Sequence, residues 1–512
     1  MPVIIFWIFN SGFPAFGWAG RLVGGASPPN ILLAISDDQS FPHAGAYGFR
    51  GINTPGFDRI AEEGILFNNA FSSAPGCSPS RASLLTGKYV WELEDAGSHA
   101  SKFPVKFTTY TDILAGGGYH VGYTGKGWGP GNWNLSGRMQ NPAGKNYSEI
   151  RDLTVPEHIS EINYAANFES FLKTRKKNQP FCFWYGATEP HRRYSTGIGE
   201  KEGIRTEEIS IPPFLPDVKE VREDMADYLY EIQHFDSHLV RMIEILEKSG
   251  ELDNTVILVT SDNGMPFPRA KANLYEYGFH MPLAIRWGDR IKPGRVVDDL
   301  ISLADIAPTL LQITGIVHPA EPESGLTMTG KSFYEILISP GSGLLEPERK
   351  YIYAGRERHS CSRWNNLSYP IRALRSHDYL YIKNFKPERW PAGAPVRYDE
   401  NNNLVAGFHD IDDFMEDFVY THRNDSLVKR YFDLAVSKRP LEEFFDIRKD
   451  PGCLNNLADL PEIQEILKKM RNDLHNRLIE TGDPRVHGYG DIWETYERYH
   501  VMRRFPEPDW IK

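Results

Sequence analysis

Cysteine is scarce in this chain. Four residues, Cys77, Cys182, Cys361 and Cys453, stand among 512, and no two form a CxxC pair. A cysteine zinc site and a dense disulfide framework are therefore both excluded, and no pairing is assigned. Positive charge is also in deficit: 57 Lys and Arg against 68 Asp and Glu leave a formal charge of −11. A general nucleic-acid binder needs a basic footprint over the phosphates, so that class is excluded, although a local basic pocket for a small anion is not. Long apolar runs are missing too. The opening residues MPVIIFWIFNSGFPAFGWAG are apolar and aromatic, yet Asn10, Gly12 and Pro14 break them short of a membrane span, and no later stretch is long enough to cross a bilayer. With small residues at 24–27, residues 1–28 are expected to be a secretory leader, although no Lys or Arg precedes Arg21.

The chain does carry short buried-strand patterns alternating with helical ones. Asn30–Ile35, Pro180–Gly186 and Thr255–Thr260 are apolar runs of strand length. Between the last two, Met225, Leu229, Ile232, Leu239, Ile243 and Leu246 recur at helical spacing. Thr54 and Pro55 open a further helix. This alternation predicts an α/β fold with a largely parallel sheet flanked by helices. After about residue 366 the background is more polar, with strands near Tyr379–Ile382 and Glu442–Ile447 and a helix after Pro461. A smaller α+β domain over 367–512 is expected to follow a catalytic domain over 29–366. The Gly-, Asn- and Pro-rich stretches 129–144 and 391–407 are expected to be surface loops.

Two of the apolar runs end in acids: Asp37 and Asp38 follow the first, Asp262 and Asn263 the third. In a parallel sheet these ends share one rim, where ligands bind. Four oxygen donors there suit a hard cation, Ca²⁺ or Mg²⁺, better than zinc. Acids at strand ends also cap turns and helices, so the pattern alone leaves both readings open. A second pattern, CSPSRASLLTG from Cys77 to Gly87, puts a cysteine at a turn into a helix, four residues before Arg81. By itself it marks either a nucleophile or a small structural cysteine. GYTGKGW is not a phosphate-binding P-loop, because His120 stands where the first Gly belongs and Gly127 follows Lys126.

CSPSRASLLTG resembles the signature of the type I sulfatases, in which the cysteine is oxidised to formylglycine. DD at 37–38, GK at 125–126, EPH at 189–191, SDNG at 261–264 and FDIRKDPGCLNNLA at 445–458 stand in that family's order. The likeness runs from about Asn30 to the C-terminal region. Within the family, SDNGMPFPRAKANLY and CSPSRASLLTG are most similar to the heparan N-sulfatases and their bacterial relatives.

The resemblance implies an alkaline-phosphatase-like fold and a sulfatase acting on sulfated carbohydrate, with N-sulfoglucosamine of heparan sulfate or heparin as first choice. A carbohydrate O-sulfatase is the alternative. A phosphate or phosphonate monoesterase and a catalytically silent sugar-binding relative are more remote. The resemblance further implies one Ca²⁺, rather than Mg²⁺, on Asp37, Asp38, Asp262 and Asn263. Cys77 would become formylglycine through a formylglycine-generating enzyme. Its hydrated aldehyde would attack sulfur and its second hydroxyl would expel sulfate, a release that a plain Ser or Cys ester lacks. Arg81 would orient that hydrate, Lys126 and Lys271 would neutralise transferring oxygens, with Arg269 a competitor for the last role, and His191 would meet the leaving group. The family's histidine two places after the motif lysine is here Trp128; His99 or a metal-polarised hydroxyl would have to replace it. His99, Glu357, His359 and Arg363 are candidate sugar contacts. An exported enzyme, secreted, periplasmic or lysosomal, would be in keeping with the family, as would a homodimer.

Overall fold

The computed structural model describes residues 28–316 and 328–511; the expected leader, residues 1–27 of it, lies outside them. The apolar runs become the centre of a nine-stranded sheet. Its strands are β1 (Asn30–Ser36), β2 (Ile65–Phe71), β3 (His120–Gly125), β4 (Lys145–Asn146), β5 (Phe181–Gly186), β6 (Thr255–Ser261), β7 (His280–Arg286), β8 (Arg295–Val297) and β9 (Ile301–Ser302). They lie in the order β4-β3-β5-β1-β6-β7-β2-β8, with β9 beside β2. β1 runs parallel to β5 and β6, and β3 parallel to β4 and β5. β7 alone runs against its neighbours β6 and β2 among these strands.

Why β1 shows no polar alternation follows from its surroundings, since all seven residues are buried and helices cover both faces. Ile31, Leu33 and Ile35 pack on one side with Leu84 and Leu85 of the helix Cys77–Thr86. Leu32 and Ala34 pack on the other with Leu239, Ile243 and Leu246 of the helix Lys219–Lys248. Each such side chain contributes roughly 1.5–3 kcal/mol by leaving water. The helix Pro55–Glu62 begins with Pro in its first turn as expected. Its free N–H groups at Gly56 and Phe57 donate to Asp236 of the long helix, at 2.7 Å each, in place of a local cap. No described helix is long and apolar enough to cross a membrane.

The second part of the chain builds a separate antiparallel sheet. Its members are β10 (Ile352–Arg356), β11 (Ile371–Arg375), β12 (Tyr379–Asn384) and, after a hairpin of β13 (Val396–Tyr398) and β14 (Leu404–Ala406), β15 (Glu442–Asp446). β10 precedes residue 366, so the chain enters this sheet ahead of the expected junction. The expected surface loop 391–407 instead contains the hairpin, because Val396–Tyr398 and Leu404–Ala406 pair across the turn Asp399–Asn403, whose N–H groups at Asn401 and Asn403 donate to the Asp399 carboxylate. The helix Gln464–Glu480 covers one face, with Leu467, Met470, Leu474 and Leu478 against Leu374, Tyr381 and Phe444.

Arg372 of β11 is fully buried and is held by Asp483 at 2.6 Å and Glu357 at 2.8 Å, while Arg485 closes on the other Glu357 oxygen at 2.7 Å. Removing the guanidinium leaves the buried Asp483 carboxylate without its cation and Glu357 with Arg485 alone. Arg372→Ala is therefore expected to destabilise the chain by about 3–5 kcal/mol, read as a lower urea midpoint at an unchanged slope. A loss below about 1 kcal/mol would mean that the network is solvated.

Candidate active site

The register of the two central strands assembles the site. Ser36 at the end of β1 is directly paired with Ser261 at the end of β6, so the residues that follow, Asp37 and Asp38, and Asp262 and Asn263, emerge side by side. Asp38 turns sharply away with φ 77°, a left-handed conformation that Asp tolerates better than most side chains. Its backbone N–H donates to Asp262 Oδ1 at 3.2 Å, and Asn263 Nδ2 donates to Asp38 Oδ1 at 2.7 Å. All four residues are buried.

Two oxygens of this group, Asp37 Oδ1 and Asn263 Oδ1, are buried without a hydrogen-bond partner. Orphaned acceptors inside a protein are costly, and a cluster of carboxylate and amide oxygens with unused lone pairs fits a hard divalent cation. Burial opposes ionisation of Asp37, but Lys126, His191 and Arg81 hold its carboxyl well below the usual range. Burial and the adjacent Asp37 charge push Asp262 up to about 6. A second acidic set, Asp38, His191 and Asp412, also converges. There, however, Lys271 Nζ lies between the carboxylates, 2.6 Å from Asp38 and 2.8 Å from Asp412. An ammonium already fills that position.

Cys77 opens a ten-residue helix, Cys77–Thr86, in which every residue is buried. Its side chain therefore sits at the positive end of the helix dipole. Burial pushes the Cys77 thiol up to about 11, against the opposing pull of Lys126, so the unmodified side chain is a protonated thiol at neutral pH. One turn on, Arg81 donates from Nε to Asp262 Oδ2 at 2.6 Å and from NH1 to the Lys126 carbonyl at 2.6 Å. Lys126 follows β3, and its Nζ contacts Asp37 Oδ2 at 2.5 Å. That backbone passes so close to β5 that a Cβ on Gly186 would lie 1.9 Å from the Lys126 carbonyl oxygen; only glycine fits there.

His191 projects from the Glu189-Pro190-His191 turn. Glu189 fixes this turn by accepting from Ser160 N, Tyr164 Oη and Thr188 N. The His191 Nδ1 proton goes to the Arg192 carbonyl at 2.7 Å, leaving Nε2 3.9 Å from Asp38 Oδ2. A cavity of about 420 Å³ opens here, with Asp37, Lys126, His191, His158, Arg193 and His500 in its lining.

The structure thus brings Asp37, Asp38, Asp262, Asn263, Cys77, Arg81, Lys126, His191 and Lys271 together. Arg269, the competitor of Lys271, is turned away onto the Leu434 and Cys453 carbonyls and the Tyr275 ring. His99 lies with Nε2 3.3 Å from Cys77 Sγ, and its ring lies 4.6 Å from that of His359, tilted by 33°. Burial, together with the His359 ring and the Arg498 guanidinium, drives His99 well below the usual histidine pKa. Trp128 is packed beneath the helix, its indole N–H donating to the Ser78 carbonyl at 3.0 Å.

Glu357 and Arg363 are not brought to the cluster as free charges. Glu357 is consumed by Arg372 and Arg485, and Arg363 by Asp410 and the Trp390 and Pro391 carbonyls. Their charge serves internal ion pairing, the physical reason why these two expected sugar contacts do not face the cavity. All four cysteines are free. Two contributors escaped the sequence reading, Asp412 and the segment around Arg498 and His500. Asp412 stands in the acid-rich string His409-Asp410-Ile411-Asp412-Asp413, the one signal that could have flagged it.

Comparison with known proteins gives the following. The model of the family described as Sulfatase matches residues 29–316, and that described as N-sulphoglucosamine sulphohydrolase, C-terminal, matches residues 269–375. An ulvan-active sulfatase of Formosa agariphila is 28% identical over 461 residues, covering 89% of this chain and 81% of the relative. Human N-sulphoglucosamine sulphohydrolase is 27% identical over 493 residues, covering 90% and 92%. Among solved structures, one in complex with its substrate D-glucosamine-2-N,6-O-disulfate superposes with a TM-score of 0.62 at 21% identity, covering 89% of this chain and 98% of that one.

Proposed function

The chain belongs to the sulfatase family, and from that premise we propose that it removes sulfate from a sulfated carbohydrate, with N-sulfoglucosamine of heparan sulfate or heparin as its preferred group. The observation that carries this reading is the convergence of four oxygen donors and three cationic side chains around the first residue of the Cys77 helix. Asp37, Asp38, Asp262 and Asn263 would hold one Ca²⁺, which when bound draws charge from the oxygens of the sulfate. Residue 77, converted by a formylglycine-generating enzyme, supplies an aldehyde whose hydrate offers one hydroxyl to attack sulfur and another to release it. Arg81 holds that side chain's surroundings through Asp262, and Lys126 and Lys271 neutralise the oxygens that gain charge. His191 donates its Nδ1–H to the Arg192 carbonyl, so the proton that His191 gives to the leaving amine or hydroxyl is the Nε2 proton of its imidazolium form.

Charge supports sulfate over phosphate. Asp37, Asp38, Asp262 and Asp412 face Arg81, Lys126 and Lys271, so a divalent ion turns a formal deficit of one into an excess of one. That matches the single charge of a sulfate ester or sulfamate, whereas a phosphate monoester brings nearly two at neutral pH. The occupation of the second acidic set by Lys271 argues in the same direction, against a two-metal phosphatase.

The preference for N-sulfate is supported by the human relative, which aligns over most of both chains, and by the match of its C-terminal family model. The relative described as ulvan-active acts on another glycan, and a carbohydrate O-sulfatase is kept as the second reading. Export to a secreted, periplasmic or lysosomal destination goes with the leader-like residues 1–28. The test is a panel of N-sulfated and 2-O-, 3-O- and 6-O-sulfated saccharides, incubated with matured enzyme and Ca²⁺, with free sulfate and new amine read separately. Sulfate with matching amine is expected. Sulfate without amine moves the substrate to an O-sulfated sugar, and no sulfate from any member overturns the proposal.

A further inference from the structure

Residues 376–512 lie outside both family matches, yet a short piece of them reaches the reacting residue. The segment Tyr496–His500 is clamped onto the loop that carries His99. Tyr499 N donates to the Ala100 carbonyl at 2.7 Å, Ser101 Oγ to the Glu497 carbonyl at 2.6 Å, and the buried Arg358 to the Tyr496 and Glu497 carbonyls at 2.6 and 3.1 Å. Arg358 has no carboxylate in this set; its charge is spent on backbone oxygens of the segment. The clamp places Arg498 against His99, with NH1 3.4 Å from His99 Nδ1 and 2.8 Å from the His359 carbonyl.

A guanidinium only donates. Facing it, His99 Nδ1 must accept, which excludes both the Nδ1–H tautomer and the imidazolium, each of which would set N–H against N–H. The remaining proton is on Nε2, the nitrogen 3.3 Å from Cys77 Sγ. We propose that Arg498 is a positioning residue that fixes His99 as an Nε2–H donor, and that His99 is a catalytic residue giving a hydrogen bond to the side chain at position 77 rather than taking a proton from it. The consequence for turnover rests on the sulfatase reading; the tautomer does not. A donor fixed at the reacting atom holds one orientation of that side chain and faces the charge that develops there, without reorganising during the reaction.

The tautomer is read directly by ¹⁵N–¹H spectra of selectively labelled histidine in the protein with unmodified Cys77, the His99 signals being assigned by their loss in His99→Gln. The Nε2–H pattern is expected; an Nδ1–H or imidazolium pattern overturns the proposal whatever the substrate proves to be. In matured enzyme, His99→Ala is expected to lower kcat about 100-fold. His99→Gln, which keeps an N–H near the Nε2 position, should stay within about 10-fold of the parent, whereas a base lost from this position would leave Gln as inactive as Ala. Arg498→Met should lower kcat about 10-fold at unchanged KM, and Arg498→Lys should restore most of it. Melting curves accompany each variant. Equal kcat for Arg498→Met and the parent, or equal loss for His99→Gln and His99→Ala, refutes the assignment, and the spectrum of the parent decides should a variant fail to fold.

Discussion

Cys77→Ala is expected to eliminate sulfate release, a fall of about 10⁴-fold or more, while the folded protein survives. The two halves of that expectation have different origins. Loss of turnover follows from position: Cys77 is the side chain at the head of the buried helix, within reach of Lys126, Lys271 and His99. Survival of the fold follows from size, because alanine removes one buried sulfur at a helix start and leaves Arg81, Asp262 and the helix interior untouched, a change worth about 1 kcal/mol. Sulfate release measured beside a melting curve checks both. Substantial residual turnover at an unchanged melting temperature would mean that residue 77 is structural and that the attack comes from elsewhere.

Removal of divalent metal is expected to have an effect of the same order. The unpartnered Asp37 Oδ1 and Asn263 Oδ1 find no hydrogen-bond donor among the described residues, and without a cation the surrounding carboxylates face the sulfate directly. Dialysis against a strong chelator should reduce turnover more than about 100-fold, and Ca²⁺ should restore it. The same addition should raise the melting temperature, since an ion that binds only the folded chain stabilises it by about 2.7 kcal/mol at a hundred times its dissociation constant. Indifference of both turnover and melting temperature to the chelator would remove the metal from the proposal.

The rim of the sheet was legible because it depends on local pattern and strand polarity alone. Runs that end in Asp37-Asp38 and Asp262-Asn263 must meet once β1 and β6 pair in parallel. The choice between Arg269 and Lys271 was not legible, since it turns on which side chain finds Leu434 and Cys453, residues far along the chain. Glu357 and Arg363 show the converse difficulty. A charged string reads the same whether it faces a sugar or is buried in ion pairs, and here the partners Arg372, Arg485 and Asp410 decide. Asp412, Arg498 and His500 come from irregular segments with no periodicity to announce them, and only tertiary packing brings them to the site. The antiparallel sheet was visible through β12 and β15, whose apolar strings stand out, whereas the hairpin of β13 and β14 is held by an Asp399 turn within a stretch whose composition is that of a loop.

The complete burial of the Cys77–Thr86 helix sets a clock. Every residue of that helix is sealed by the sheet and by its neighbours, so no second enzyme can grasp the string around the thiol once the chain has closed. Under the proposed conversion, oxidation of residue 77 would have to win a race against collapse of the nascent polypeptide, and molecules that lost it would be folded but without the aldehyde. The fraction of active enzyme in a preparation then reports a ratio of two rates, and it should rise when folding is slowed or the modifying enzyme is more abundant.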